Sequence, residues 1–307
     1  MCGIIGYSGP KEPLPILIGG LSRLEYRGYD SAGVAILDGE KLTIEKKEGK
    51  LQVLKDHLTN SKINGNIGIG HTRWATHGVP NDVNAHPHSD NQNEFAIIHN
   101  GIIENYAEMK DDLLKEGFVF ESDTDTEVVA VELGNQWTGR LLETVTNVAK
   151  KLDGTYALVV TSTKEPGTIV AGRMMSPLVL GVGEGETFLA SDSAAILEHT
   201  NKMIFLENGD FVEITNGKFK LFDINMNEIS REIQEIDWKV SEAEKSGYDH
   251  FMYKEILEQA EVIERTISGR LEIGSEEIPI DLNKAKEFEK IWIVACGTAY
   301  HAGLFGK

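Results

Sequence analysis

The chain begins MCGIIGY, so Cys2 has only the initiator methionine before it and a glycine after it. Cysteine is small enough for routine removal of that methionine, which would leave Cys2 at the amino terminus. Its thiol would then lie beside an α-amine of ordinary pKa about 7.7–8.0. Such an amine can take the thiol proton directly or through a water, which turns a weak nucleophile into a strong one. Gly3 lets the backbone turn tightly and leaves the thiol open to a substrate. An incidental, frayed terminal thiol explains MCG alone equally well. The apolar IIGY directly after it argues otherwise, because it would pin the terminus into a sheet.

Acyl transfer also needs oxyanion donors and a grip on the substrate. The segment GHTRWATHGVPNDVNAHPHSDNQNEFAIIHNG supplies candidates for both. Arg73 offers a bidentate fork for a carboxylate, with Trp74, Thr76 and His77 close behind it. Asn100 and Gly101 follow a strand-like run and offer a side-chain amide and an unobstructed backbone N–H. Asp125 falls at an expected helix start, where the dipole favours a carboxylate able to hold an ammonium. The histidines His71, His77, His86, His88 and His99 also allow a metal reading through His86 and His88. No HExxH and no zinc-spaced Cys/His quartet accompanies them, so most are expected to be hydrogen-bonded structural residues. Asp125 could equally be a plain cap residue.

The elements that must hold these groups are legible in outline. GIIGYSG reads as a strand entering a turn. Leu14, Leu17, Leu21 and Leu24 have helical spacing up to Gly28, and Leu51, Leu54 and Leu58 mark a second amphipathic helix. NIGIGHT and EFAIIHNG read as strands ending in polar clusters. NYAEMKDDLLKEG and LLETVTNVAKKL read as helices, and Thr124 with Glu127 has the spacing of a capping box. TYALVVTS, TIVAGR, LVLGVGE and TFLASD read as strands. Asp38-Gly39, Asn208-Gly209 and Asn216-Gly217 read as hairpin turns. The hairpins favour antiparallel pairing over a doubly wound parallel sheet.

From about residue 226 the sequence turns polar and charged, which reads as a linker. A helix comes next, with Met252, Ile256, Ala260, Ile263 and Ile267 on one face. KIWIVACGTAYHAGLFGK then reads as a buried strand, a Gly-Thr turn and the start of a helix. One strand cannot bury both of its own faces, so this second unit is expected to be incomplete.

Of 307 residues, 41% are hydrophobic and 26% charged, an ordinary globular composition. The 49 acidic and 30 basic residues give a formal net charge of -19, which disfavours nucleic-acid and membrane-surface partners. The only cysteines are Cys2 and Cys296, too few for a disulfide framework and consistent with a reducing cytoplasm. No basic segment followed by an apolar run marks a signal peptide.

CGIIGY, LEYRGYDSAG, GHTRWATHG, HNGIIENY and SDTDTE together resemble the class II glutamine amidotransferases. DHFMYKEILEQ and VACGTAYHAG resemble the start of the sugar-phosphate isomerase half found in one branch of that family. The resemblance implies an α+β, four-layer αββα N-terminal-nucleophile fold, with two stacked antiparallel sheets between helices. It implies a glutaminase domain over 1–225, a linker over 226–248, and an incomplete sugar-isomerase (SIS) domain over 249–307. It implies Cys2 as nucleophile, Asn100 and Gly101 as oxyanion hole, Arg73 on the glutamine carboxylate and Asp125 on its ammonium. Thr76 and His77 fall in its glutamine-binding loop and Trp74 in its mobile lid, while Gly28, Tyr29 and Asp30 form a loop near the nucleophile. Gly297 and Thr298 match a sugar-phosphate loop whose usual serine is here Ala299. The implied reaction delivers glutamine-derived ammonia to fructose 6-phosphate, giving glucosamine 6-phosphate for amino-sugar biosynthesis, with no cofactor and in a homodimer when full-length. The rival readings are another class II amidotransferase, which VACGTAYHAG disfavours, a glutamine-binding module without catalysis, and a metal protein built on the histidines.

Overall fold

The computed structural model describes residues 2–59, 61–236, 248, 250–267, 290, 292–295 and 297–306. Two compact units divide the chain, Met1–Ser246 and Gly247–Lys307.

In the first unit the strands are β1 (Gly3–Ser8), β2 (Ser31–Asp38), β3 (Lys41–Glu48), β4 (Ile67–Arg73), β5 (His88–Ser89), β6 (Phe95–Ile103), β7 (Gly154–Ser162) and β8 (Thr168–Met174). They continue with β9 (Val179–Val182), β10 (Thr187–Ala190), β11 (Lys202–Phe205), β12 (Phe211–Thr215), β13 (Lys218–Phe222), β14 (Glu228–Ile229) and β15 (Gln234–Glu235). The helices are α1 (Pro13–Leu24), α2 (Leu51–Leu58), α3 (Tyr106–Lys115), α4 (Asp125–Asn135) and α5 (Leu141–Ala149). One sheet has the order β15-β11-β9-β10-β1-β4-β2-β3 and the other β14-β13-β12-β8-β7-β6-β5. Neighbouring strands are antiparallel throughout both.

Alternation along the strands explains the layering. Ile4, Leu37, Ile67, Ile69, Ile98, Val159 and Val212 form the core between the sheets. Their neighbours Ile5, Tyr7 and Phe188 face Leu17, Leu21 and Leu24 of α1 and Leu51, Leu54 and Leu58 of α2. On the other side Ile97, Leu158 and Phe211 pack with Val129 and Leu133 of α4 and Leu142 and Val145 of α5. A strand buried on both faces favours a near-continuous apolar run, and β1 accordingly does not alternate, with Ser8 as its one buried hydroxyl at the end. Each large apolar side chain so buried stabilises the fold by about 1.5–3 kcal/mol. The result is the expected helix–sheet–sheet–helix stack.

Local expectations meet the structure with instructive differences. Asn216-Gly217 closes the β12–β13 hairpin, while Asp38 pairs with Lys41, so the β2–β3 loop is Gly39-Glu40, one residue later than expected. Asn208-Gly209 does not close a hairpin, because β11 pairs in one sheet and β12 in the other. Its turn carries the chain between layers. The cap at α4 is present, with Thr124 Oγ1 accepting from Glu127 N–H at 3.2 Å. The return bond goes elsewhere: the Glu127 carboxylate accepts from the N–H groups of Glu121 and Ser122 at 2.9 and 2.7 Å. Replacing Thr124 by alanine should cost about 1 kcal/mol through loss of the cap, and a drop in thermal midpoint would measure it. Short strands β14 and β15 fall inside the expected linker 226–248, and residues 237–247 lie outside the described set.

In the second unit α6 spans Phe251–Ile267 and α7 spans Gly297–Gly306. The apolar face expected on α6 is exposed at Met252, Ile256 and Ile263. Residues 292–295 were expected as part of a buried strand, but they are irregular and exposed. A strand exists only where neighbours take its backbone hydrogen bonds, and no strand is present among the described residues of this unit. Cys296 lies outside them. No helix among the described residues is long and apolar enough to cross a membrane.

Candidate active site

The interlayer core changes character at one end of the strands. Along β4 the inward positions read Ile67, Ile69, His71, Arg73, and along β6 they read Ala96, Ile98, Asn100. The same alternation that buries the isoleucines therefore delivers polar side chains to the end of the sandwich. Cys2 joins them because β1 pairs with β4 in the register Gly3↔Thr72 and Ile4↔His71. The amide N–H of Trp74 donates to Cys2 Sγ at 3.2 Å, and Asn100 Nδ2 donates to the Cys2 carbonyl at 3.0 Å. Both sheets thus hold the chain start in place.

A cavity of about 300 Å³ opens over the thiol. Its walls include Cys2, Arg73, Trp74, Thr76, His77, Asn100, Gly101 and Asp125, so the fold gathers all eight sequence-selected residues of the amide-cleaving set. Gly297 and Thr298 stand apart from it in sequence and begin α7 in the second unit. The cavity also takes in Arg27, Ile102, Thr126, Thr155, Ser176 and Pro177, which the sequence did not single out. Thr155 arrives because Ile102 pairs with it across β6 and β7, a relation that no local pattern announces.

The electrostatics of the cavity are set by burial. Burial pushes the Cys2 thiol up, against the Trp74 N–H, which lowers it. Arg73 is 3% exposed, and its Nη2 donates to the carbonyl of His77, while buried Nη1 has no partner among the described residues. An unpaired buried guanidinium N–H is costly. Burial also pulls Arg73 down, with Asp30, Cys2 and Asp125 acting in the opposite direction. Asp125, in the first turn of α4, accepts from the N–H of Ile103 at 2.9 Å and lies 4.0 Å from His99 Nδ1.

The loop after α1 closes one side. The Gly28 backbone comes so near β4 that a Cβ would sit 2.8 Å from Arg73 O and 2.9 Å from Trp74 N. Asp30 accepts from the N–H of Ala75, and Tyr29 meets the half-exposed Trp74 ring edge-on at 5.5 Å.

Beneath the cavity lies a layer of buried histidines. His86 and His99 each contact Thr126 Oγ1, at 2.9 and 3.0 Å, and His88 contacts Thr124 Oγ1 at 3.1 Å. Burial drives His71 down to about 3 and lowers His86, His88 and His99 as well. These rings are neutral, packed and hydrogen-bonded.

Residues 56–249 match the family model described as the glutamine amidotransferase domain. The chain is 49% identical to the glutamine–fructose-6-phosphate aminotransferase (isomerizing) of Clostridium tetani and 48% identical to that of Aquifex aeolicus, each over 100% of this chain. It spans only 51% of either relative's length. Among solved structures, the glutamine phosphoribosylpyrophosphate amidotransferase of B. subtilis, complexed with ADP and GMP, superimposes with a TM-score of 0.65 at 29% identity. That match covers 74% of this chain and 50% of the other. With the amidotransferase model matched over more than half of its length, and its two-sheet fold shared with a solved amidotransferase, the chain belongs to the glutamine amidotransferase domain family.

Proposed function

We propose that this chain is the glutamine-hydrolysing part of a glutamine–fructose-6-phosphate aminotransferase (isomerizing). The observation that carries the reading is that Cys2, Asn100 and Arg73 line one cavity. After loss of Met1, the α-amine of Cys2 takes the thiol proton. The thiolate then attacks the side-chain amide carbon of glutamine, and the carbonyl electron pair moves to oxygen. That oxyanion rests on Asn100 Nδ2–H and the Gly101 N–H. Collapse breaks the C–N bond, and the nitrogen leaves as ammonia with the proton returned by the ammonium. Water then opens the thioester and releases glutamate.

Arg73 binds the α-carboxylate and Asp125 the α-ammonium of free glutamine, with Thr76, His77 and the Trp74 loop around the substrate. In the whole enzyme the ammonia passes to fructose 6-phosphate. Residues 1–225 are the glutaminase domain, 226–248 the connection and 249–307 the start of a sugar-isomerase domain, with Gly297 and Thr298 in its phosphate loop. A cytoplasmic homodimer completes the proposal.

The direct test is incubation with glutamine and detection of glutamate through a coupled dehydrogenase. Protein shown by mass to lack Met1 and yet releasing no glutamate would refute the proposal. The substrate clamp has its own test. Arg73→Lys keeps the charge but loses the planar fork, so KM should rise about 10- to 150-fold, as expected for loss of a charged hydrogen bond of about 1.5–3 kcal/mol. Glutamine blocked at its carboxylate should bind poorly to the parent and lose little more in the variant. Equal binding of blocked and free glutamine by the parent would show that Arg73 does not read the carboxylate.

A further inference from the structure

The imidazole of His71 is fully buried on β4, two residues before Arg73 on the same face. Its Nε2 lies 3.1 Å from the carbonyl oxygen of His99 and 3.0 Å from Asn100 Oδ1. A backbone carbonyl can only accept, so Nε2 carries the hydrogen whichever way the Asn100 amide is turned. His71 Nδ1 is buried with no partner among the described residues, as suits the bare lone pair of the neutral Nε2–H tautomer. The His86 ring stacks on His71 at 4.3 Å and fixes its plane. Burial, which holds His71 down to about 3, keeps the ring uncharged across the neutral range.

The amide of Asn100 is thereby oriented from two ends. Oδ1 accepts from His71, and Nδ2 donates one hydrogen to the Cys2 carbonyl at 3.0 Å. The second Nδ2 hydrogen is left for the cavity that Asn100 lines. A flipped amide would set N–H against N–H at His71 and oxygen against oxygen at Cys2. The Cys2 carbonyl belongs to the residue that reacts in the proposed mechanism. His71 grips the amide from within β4, two residues before Arg73.

From this geometry we infer that His71 is a positioning residue, holding Asn100 so that an N–H, not a lone pair, faces the developing oxyanion. The inference rests on the glutaminase reading proposed above. Without the His71 hydrogen, Oδ1 is left buried and unpaired and gains by turning toward the cavity. There its lone pairs would repel the negative charge that they should not meet. Binding of ground-state glutamine depends on the Arg73 and Asp125 clamp, so the defect belongs in kcat.

The test is a double-mutant cycle on the whole chain freed of Met1, read by glutamate release. His71→Asn keeps the site polar, but its amide is too short to reach Asn100. Its kcat should fall about 100-fold, the scale of one lost oxyanion donor, with KM changed less than about threefold. Asn100→Ala should cost a similar factor. In the Asn100→Ala background, His71→Asn should cost less than about threefold more, because the two act through one group. His71→Gln, whose amide nitrogen can reach the place of Nε2, should recover at least about tenfold of the loss. Multiplicative losses in the double variant, or a His71→Asn enzyme with parental kcat, would overturn the inference. A residue that only supports the fold would give multiplicative losses and a lowered thermal midpoint, without rescue by glutamine. The two readings fail differently. A parent chain with no glutaminase activity refutes the proposed function, whereas an active parent with unaffected His71 variants refutes only the role of His71.

Discussion

Replacing Cys2 by alanine should abolish glutamate release while leaving the fold intact. Removing a covalent nucleophile leaves only binding and the oxyanion donors, and losses of about 10⁴- to 10⁶-fold in kcat are the rule for such changes. The structural consequences are small. Cys2 precedes β1, and its sulfur makes two contacts, accepting from the Trp74 N–H at 3.2 Å and donating to the Trp74 carbonyl at 3.5 Å. Its loss should shift stability by less than about 1 kcal/mol, so the thermal midpoint should match that of the parent. Cavity and clamp remain, so glutamate and glutamine should still bind the variant in a calorimeter. A Cys2→Ala protein retaining more than about 1% of parental kcat would mean that another group attacks the amide. A companion result concerns the base. Protein that keeps Met1 has the thiol but no amine on Cys2, so it should be inactive until an aminopeptidase trims it.

How far the sequence reaches depends on whether a feature is local. The leucines of α1 and α2 are periodic signals, and the fold places them on the faces their spacing predicts. The two-residue turn at Asn216-Gly217 carries its geometry within itself. Asn208-Gly209 has the same composition, but the pairing of the strand after it is set by which sheet has room for β12, and that is a tertiary fact. The edge strands β14 and β15 are two residues each, too short for composition to separate them from a linker. The cavity divides along the same line. Cys2, Arg73, Asn100 and Asp125 were visible because each residue type announces a chemistry. Thr155, Ser176 and Pro177 were not, since they enter the wall only through strand pairing and loop placement. The His71–Asn100 contact was hidden for the same reason. Two residues 29 positions apart meet across stacked sheets, and the histidine alone looks like core packing.

Gly101→Ala should damage stability and catalysis together, because one atom would collide with the backbone that shapes the proposed oxyanion hole. Gly101 has φ +139, a region that side chains rarely adopt, and an added Cβ would lie 1.9 Å from Thr155 O and 2.9 Å from His99 Nε2. Neither obstacle is a flexible side-chain end. Thr155 O belongs to β7, which pairs with β6 from Phe95↔Ser162 to Ile103↔Gly154. Relief therefore requires the two strands to part at the site. Strained φ costs about 1–3 kcal/mol and overpacking a further 1–3 kcal/mol, so unfolding free energy should fall by about 2–6 kcal/mol. Parting β6 from β7 also moves the Gly101 N–H and the neighbouring Asn100 amide. Loss of donor geometry there should lower kcat by about 10²- to 10³-fold. Gly117 provides the control. It too has positive φ, +96, but no atom lies within 4 Å of its added Cβ, and it follows α3 away from the cavity. Gly117→Ala should show the backbone strain alone, about 1 kcal/mol or slightly more, with kcat unchanged. Urea denaturation and glutamate release on the two variants side by side separate collision from strain. If Gly101→Ala were no worse than Gly117→Ala in both measurements, the proposed oxyanion hole at the close approach of β6 and β7 would be refuted.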